Sequence, residues 1–493
     1  MNSEGLSSDS EAELIVVGGG LVGLTLAIAC AEGGIRTIVV EAESADALTG
    51  TAYDGRSAAI AYGSQQVLAA IGAWDGIAPH AQPILDIRVT DGGWQVKGQS
   101  HAYVHYSNRD LQRTEDRDQR SELPPPRPSP VSGKGEEIRI SCDPLPQSQH
   151  PPSQSAYHLP RYGGGLGRGP RSVERASGSD CPPFGYIVEN RITRVALLAR
   201  AKDCVNLTHI APRVVTALDL SDDAARVTLD DGRVVTAQLA VAADGKQSAL
   251  RRLAGIQSRQ FGYRQTAIVC TVTHEKPHGG VAHEHFLPAG PFAMLPMIDE
   301  TLPDGRVRHR SSIVWSEDPR LVPMLLKLDD AAFGKEIERR FGLSLGEVRP
   351  LGPRFAHPLT MTLADSYARE RFALTGDAAH GIHPIAGQGF NLGVRDVAAL
   401  AEVLVEAKRV GLDLGGMEVL ERYARWRRFD NLMLSTFMDG LTRLFSNDLG
   451  PLRLARDLGF AIFNRAMPLK RLAMRHAMGI VGKLPRLVQG RPL

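Results

Sequence analysis

The chain has 493 residues, of which 43% are hydrophobic and 23% charged, the proportions of a globular protein with room for two or three domains. A formal net charge of +2 is too balanced to point to nucleic acid. The five cysteines (Cys30, Cys142, Cys181, Cys204, Cys270) form no C-x-x-C and no Cys/His metal spacing, so free thiols in a reducing compartment are expected, and no metal. The polar, acidic start is unlike a secretory or mitochondrial targeting segment, and no run reaches the roughly 18 apolar residues of a spanning helix. A cytoplasmic protein is expected, with peripheral contact on the inner face of the membrane kept open.

The first elements lie in Glu13 to Glu41. An apolar run, Leu14 to Val17, reads as a buried strand. A glycine turn follows (Gly18, Gly20, Gly23), then an apolar helix, Leu21 to Glu32. Gly33-Gly34 ends it, and a second strand, Thr37 to Val40, runs into Glu41. This is a βαβ unit with G-x-G-x-x-G at the strand-to-helix turn. Gly18 permits the tight turn, Gly20 lets a pyrophosphate approach the backbone, and Gly23 allows close packing of helix and strand. The helix N-terminus offers free N–H groups to phosphate. Glu41 is placed to accept from an adenosine ribose. A dinucleotide site is expected; an ordinary glycine-rich turn is the alternative.

Arg56 follows, at the head of Ser57-Ala58-Ala59-Ile60, as a candidate for cofactor phosphates or ribose or for a surface salt bridge. A helix is expected over Gly63–Ile71 and a strand over Ile84–Thr90. From about Ser107 to Pro183 the composition changes: PPPRPSP at Pro124–Pro130, a Gln/Ser/Pro tract, and GGGLGRG at Gly163–Gly169. Without apolar periodicity such a stretch cannot offset its ordering entropy, so it reads as a disordered insertion. Order returns at Phe184. A helix (Ile192–Lys202), a strand (Val205–His209) and a hairpin around Asp230-Asp231-Gly232 lead to a buried strand ending in Asp244-Gly245. Alternating segments from Thr266 to Ser316 predict a mostly antiparallel sheet. A short helix (Phe333–Phe341) precedes another buried strand, Arg371–Thr375, which ends in Gly376-Asp377-Ala378-Ala379-His380. A glycine-rich loop, Pro384–Gly393, then opens a long helix. The C-terminal part from about Met417 reads as helical. Its basic, apolar-interleaved stretch could lie on an anionic membrane surface or pack on the body with a solvated basic face.

Three motifs now stand in order: Gly18-x-Gly20-x-x-Gly23, Ala243-Asp244-Gly245-x-x-Ser248-x-x-Arg251, and Gly376-Asp377-Ala378-Ala379-His380 with Pro384 and Gly387-Gln388-Gly389-x-Asn391-x-Gly393. Together they resemble the single-component FAD-dependent aromatic hydroxylases, or group A flavin monooxygenases. Asp54 to Ser64, Gly185 to Arg191, His380 to Gly393 and the tail Arg475 to Gly479 are most similar to the ubiquinone-biosynthesis hydroxylases. No W-x-W-x-I-P of the flavin-dependent halogenases is present.

The resemblance implies FAD as cofactor and NAD(P)H as co-substrate. It assigns the glycine turn to the FAD pyrophosphate, Glu41 to the ribose, and Asp244, Gly245 and Arg251 to a region shared by FAD and NAD(P)H. Gly376 and Asp377 fall to the ribityl chain. Pro384 lies against the ring, and Gly387, Gly389 and Asn391 form the helix start facing the reduced flavin. No catalytic base is assigned; Pro384 and His383 are the residues nearest the ring. The implied reaction is hydroxylation of a polyprenylated phenol or quinol by O₂ through a flavin C4a-hydroperoxide. A hydroxylase of a soluble aromatic, or a low-activity flavin-binding subunit of a biosynthetic complex, are the alternatives.

The implied fold is α/β: a Rossmann-like FAD-binding domain (11–83, 184–257, 357–415), an interleaved, mostly antiparallel β-sheet substrate domain (84–106, 258–356), the insertion (107–183), and a helical C-terminal region (416–493).

Overall fold

A computed structural model describes residues 9–44, 47, 50, 56–91, 103–108, 110, 181–381, 387–428 and 466–493. The chain divides into two compact units, Met1–Leu111 with Cys181–Leu493, and Gln112–Asp180. The second unit, and with it nearly all of the expected insertion, lies outside the described residues. The fold is that of the first unit.

A six-stranded sheet carries the three glycine-containing motifs at its strand ends. The strand order is Ala368–Arg369, Phe372–Leu374, Leu239–Ala242, Leu14–Val17, Thr37–Val40, Leu207–Ile210. Every pairing is parallel except that of the Ala368–Arg369 edge. Parallel strands need both faces covered, so their sequences are apolar without alternation. Leu14–Val17 and Leu239–Ala242 are buried at every position. The helices Leu21–Glu32 and Gln388–Arg409 pack on each other over this sheet, and Gly33 lets them close: a Cβ there would stand 2.2 Å from Val405 Cγ2.

A smaller four-stranded sheet carries the expected hairpin, Ala225–Leu229 with Val234–Ala237. Asp9–Glu11 extends it in parallel, a strand that its acidic residues do not announce.

The third sheet has eight strands, in the order His380–Gly381, Val348–Ala364, Ser258–His274, Val307–Glu317, Gly290–Thr301, Val281–Leu287, Asp86–Asp91, Tyr103–Ser107. All neighbours are antiparallel except Val281–Leu287 with Asp86–Asp91. Two members run to 17 residues, and the first begins eight residues before the alternating segments expected from Thr266 onward. One face is closed by the helices Val322–Lys327 and Asp330–Phe341, around Phe292, Trp315 and Phe333. The other turns toward a three-stranded sheet of Ser57–Ala61, Gly185–Glu189 and Gln82–Ile84, through a cluster that includes Ile84, Phe184, Ile187, Ala282 and Met297.

The C-terminal part holds two helices among its described residues and then runs as turns and coil from 478 to 493, with a short 3₁₀ segment, Leu487–Gln489. A helix over 417–428 is anchored by the Tyr423 hydroxyl, which donates to Leu374 O at 2.7 Å. The helix Met467–Ala477 sends Met474, with Met478 just beyond its end, into the Ile84–Met297 cluster. That side of the basic stretch packs on the body, while Leu472 and Arg475 are exposed. Residues 429–465 lie outside the described set. Among the described residues no helix is long and apolar enough to cross a membrane.

Candidate functional site

Three adjacent parallel strands end side by side, and each is followed by one motif. Leu14–Val17 runs into Gly18, Leu239–Ala242 into Asp244-Gly245, and Phe372–Leu374 into Gly376-Asp377. Their ends are stitched in line: Gly18 N–H donates to Val40 O (2.8 Å), Ala243 to Val17 O (2.8 Å), Thr375 to Ala242 O (3.0 Å). Ligands of open α/β sheets bind outside the carboxyl ends of the strands, and the motifs, hundreds of residues apart in sequence, meet there.

The glycine turn divides its labour as the spacing requires. Gly18 has φ +107°, and a Cβ on it would sit 2.5 Å from Ala243 O. A Cβ on Gly23 would lie 1.9 Å from Gly18 O, so helix and turn touch through it. Gly20 differs, since a Cβ there would meet nothing within 4 Å. No side chain caps the helix that begins after it. Its first N–H groups and the open side of Gly20 form an anion cradle. Glu41 ends Thr37–Val40 and turns its carboxylate over the turn, accepting from Gly19 N–H at 2.5 Å and from Glu43 N–H at 2.9 Å.

The second motif is mostly self-supporting. Asp244 Oδ2 accepts from Leu250 N–H at 3.1 Å, and Ser248 Oγ caps the short helix Ala249–Leu253 by accepting from Arg251 N–H at 2.9 Å. Gly245 makes the turn at φ +84°. Arg251, expected to touch cofactor, is buried and donates to Ala378 O (2.7 Å) and Lys246 O (3.1 Å), tying the second motif to the third. Asp244 Oδ1 is buried with no hydrogen-bond partner among the described residues, an open acceptor at the strand ends.

The third motif rests against the first. Gly376, at φ +59°, and Gly393 both close on Val22 of the first helix; Cβ atoms there would stand 3.0 and 2.8 Å from its methyl carbons. The long helix therefore starts beside the glycine turn. Its cap residue, Gly387, is left-handed at φ +62° and lies so near the strand Ser57–Ala61 that a Cβ would meet Ala59 Cβ at 2.6 Å. Gly389 faces open space. Asn391 fastens this corner, accepting from Ala61 N–H at 2.8 Å and donating to Ala59 O (2.7 Å) and Gly387 O (3.2 Å). Its side chain thus works by holding the loop. Burial pushes the Asp377 carboxyl up, against the pull of Lys246 and His380. Arg56 is exposed at the head of Ser57–Ala61. Pro384 and His383 lie outside the described residues.

Two residues behind this loop escaped the sequence reading. Asp396, 0% exposed, takes His380 Nε2 and Gly376 N–H (3.1 Å) on one oxygen and Arg427 Nε (2.8 Å) on the other. Burial favours its neutral form, but His380 and Arg427 outweigh it and hold the carboxyl well below the usual range. His380 and Arg427 are each 1% exposed. His380 is therefore a brace for the Gly376–His380 turn. Asp396 is one acid among many on an apolar helix, and nothing local marks it.

An FAD fits this set. The uncapped helix starts at Gly20 and Gly387, the open sides of Gly20 and Gly389, and the orphaned Asp244 Oδ1 all ask for a ligand with phosphates at one end and hydroxyls and ring beyond. The sequence matches the FAD binding domain family over residues 11–428. It is 44% identical over 491 residues to the ubiquinone hydroxylase UbiL of Rhodospirillum rubrum, covering 99% of this chain and 95% of that protein. It is 31% identical over 470 residues to the 3-demethoxyubiquinol 3-hydroxylase of Escherichia coli, covering 95% and 98%. In fold it is similar to the p-nitrophenol 4-monooxygenase PnpA of Pseudomonas putida, with TM-score 0.66 at 18% identity over 96% of this chain and 99% of that one.

Proposed function

The chain belongs to the FAD-dependent aromatic hydroxylases, and we propose that within them it hydroxylates the ring of a polyprenylated phenol or quinol precursor in ubiquinone biosynthesis. The observation that carries this reading is the extent of the likeness to the ubiquinone hydroxylases. It runs the length of the chain, through the substrate-facing sheet as well as the nucleotide motifs.

Bound FAD, reduced by NAD(P)H, would activate O₂, of which one atom enters the ring and the other leaves as water. The protein's own residues bind, orient and exclude water. Gly18, Gly20, Gly23 and the first helix start hold the pyrophosphate, and Glu41 holds the ribose. Asp244, Gly245, Gly376 and Asp377 serve the polar middle of the cofactor. The helix start at Gly387–Gly389 sets its positive end against negative charge on the ring. Arg251 and Asn391 keep these loops in place. The eight-stranded sheet walls the aromatic site and keeps water from it.

The same proposal includes contact with the membrane surface. A prenyl tail resides in the bilayer, and exposed Leu472 and Arg475 of the helix Met467–Ala477 offer an apolar and a basic contact. Partners in a ubiquinone-biosynthesis complex would share that surface. Flotation with anionic vesicles is expected to carry the wild type, and Leu472→Asp with Arg475→Glu to reduce it; equal flotation would remove the membrane contact from the proposal.

Purified protein loaded with FAD should oxidise NAD(P)H faster when a short-chain prenylphenol is added, with hydroxylated product. Stimulation only by small soluble aromatics would replace the substrate assignment. No stimulation by any phenol would leave a flavin-binding subunit.

A further inference from the structure

We infer that Glu284 receives a hydroxyl of the aromatic substrate, an inference that rests on the hydroxylase reading above. The strand Val281–Leu287 lies inside the eight-stranded sheet. The register sets Val104, Val89, Glu284, Ala293, Val314 and Val269 side by side across it. Residues opposite one another in a ladder point to the same face. Glu284 is thus the one carboxyl in an otherwise apolar row.

It is 8% exposed, and among the described residues none gives it a hydrogen bond or an ion pair. Burial alone pushes its carboxyl up to about 8. An unpartnered carboxyl in an apolar wall is unfavourable. A valine or leucine would serve the strand better, so the position calls for a ligand.

The face it occupies is the one turned to the flavin-loop corner. Ala282, two residues earlier and on the same face, packs with Ile84, Phe184 and Met297, and Ala59 and Tyr62 lie against the same cluster. Farther along that face Ser312, opposite Leu295, is hydrogen-bonded to Ser57 Oγ at 2.9 Å. Ala59 is also the residue on which Gly387 closes. The opposite face carries His283, edge-on to Phe341, and His285, tilted against it. Glu284 therefore stands on the wall that the strand Ser57–Ala61 and the start of the long helix look onto.

A phenol or quinol hydroxyl both donates and accepts. The protonated carboxyl donates to it, and the ionised one accepts from it. Either bond fixes the ring's rotation in an apolar slot and so selects the carbon presented for oxygen transfer, and no proton need leave the substrate for this orientation. Hydrocarbon contacts alone would discriminate far less, since a buried polar partner left unmade is costly.

The test uses the full chain loaded with oxidised FAD, without NAD(P)H, so that nothing turns over. 4-Butylphenol and butylbenzene are titrated calorimetrically into wild type, Glu284→Gln and Glu284→Leu. The preference for the phenol over the hydrocarbon is expected to fall about tenfold or more in Glu284→Leu, and less in Glu284→Gln, whose amide still bonds. Both variants should melt at or above wild type, because an unpaired buried carboxyl is gone. A preference unchanged in both variants overturns the inference and leaves the hydroxylase reading intact. A melting temperature several degrees lower reveals a structural partner for Glu284 and also overturns it. A wild type that binds neither probe overturns the aromatic-substrate reading and this inference with it.

Discussion

At the scale of single residues the site separates glycines that shape the protein from glycines that leave room for a ligand. Gly23 has Gly18 O in the space of its missing Cβ, whereas Gly20 has nothing there and an ordinary extended backbone. Gly23→Ala is expected to lower apoprotein stability by about 1–3 kcal/mol through overpacking. Gly20→Ala should leave the apoprotein melting temperature unchanged while weakening FAD binding at least about tenfold. Thermal melts of apoprotein beside FAD fluorescence quenching read both; equal losses from the two variants would contradict the division. Asp396 gives a second residue-scale expectation. Its folded pKa is depressed, so its stabilisation is fully present above the unfolded value of about 3.9 and is lost as pH falls below it. Asp396→Asn should cost about 3–5 kcal/mol at pH 7, because it leaves His380 and Arg427 buried without their partner. The difference from wild type, read by urea unfolding, should shrink below about pH 4; a constant difference down to pH 3 would contradict the assignment.

At the scale of elements, what the sequence makes legible is what is local. Strand, glycine turn, helix and terminal acid lie within Leu14–Glu41, and the helix Leu21–Glu32 and both flanking strands stand where periodicity and glycine spacing put them. Elements defined by partners are read short or missed. The strands Ser258–His274 and Val348–Ala364 pair with each other along most of their length, but the first part of one and the middle of the other are largely exposed, so the apolar signal marks only part of each. Asp9–Glu11 pairs through its backbone with Val234–Ala237 and has no side-chain signature. The same is true of the bond between Asn391 and the strand Ser57–Ala61, which spans more than three hundred residues. The motif names Asn391 as a flavin residue; the structure shows it holding Ala59 and Ala61. Asn391→Ala is therefore expected to loosen that corner. It should raise the FAD dissociation constant about tenfold, at roughly 1–2 kcal/mol of overall stability. Unchanged FAD affinity would leave Asn391 without its positioning role.

At the scale of the whole molecule, a parallel sheet brings three distant motifs to neighbouring strand ends, and an antiparallel sheet sets a wall beside them. The cofactor end of this arrangement is legible in the sequence because phosphate cradles are made of glycines at fixed offsets. The end proposed for the substrate is not. Its wall is built from long-range strand register, and a residue such as Glu284 differs from its neighbours only once the ladder shows that they are all apolar. The proposed reaction adds a hydroxyl to a prenylated ring on the way to ubiquinone. The measurement that tests it most directly is mass-spectrometric profiling of quinone intermediates in a strain lacking this protein, with and without the gene restored. A prenylated intermediate one oxygen atom short of the next in the series is expected to accumulate, and to be cleared by the wild-type gene and not by Gly20→Ala. An unaltered ubiquinone profile in that strain, with no such intermediate, would contradict it.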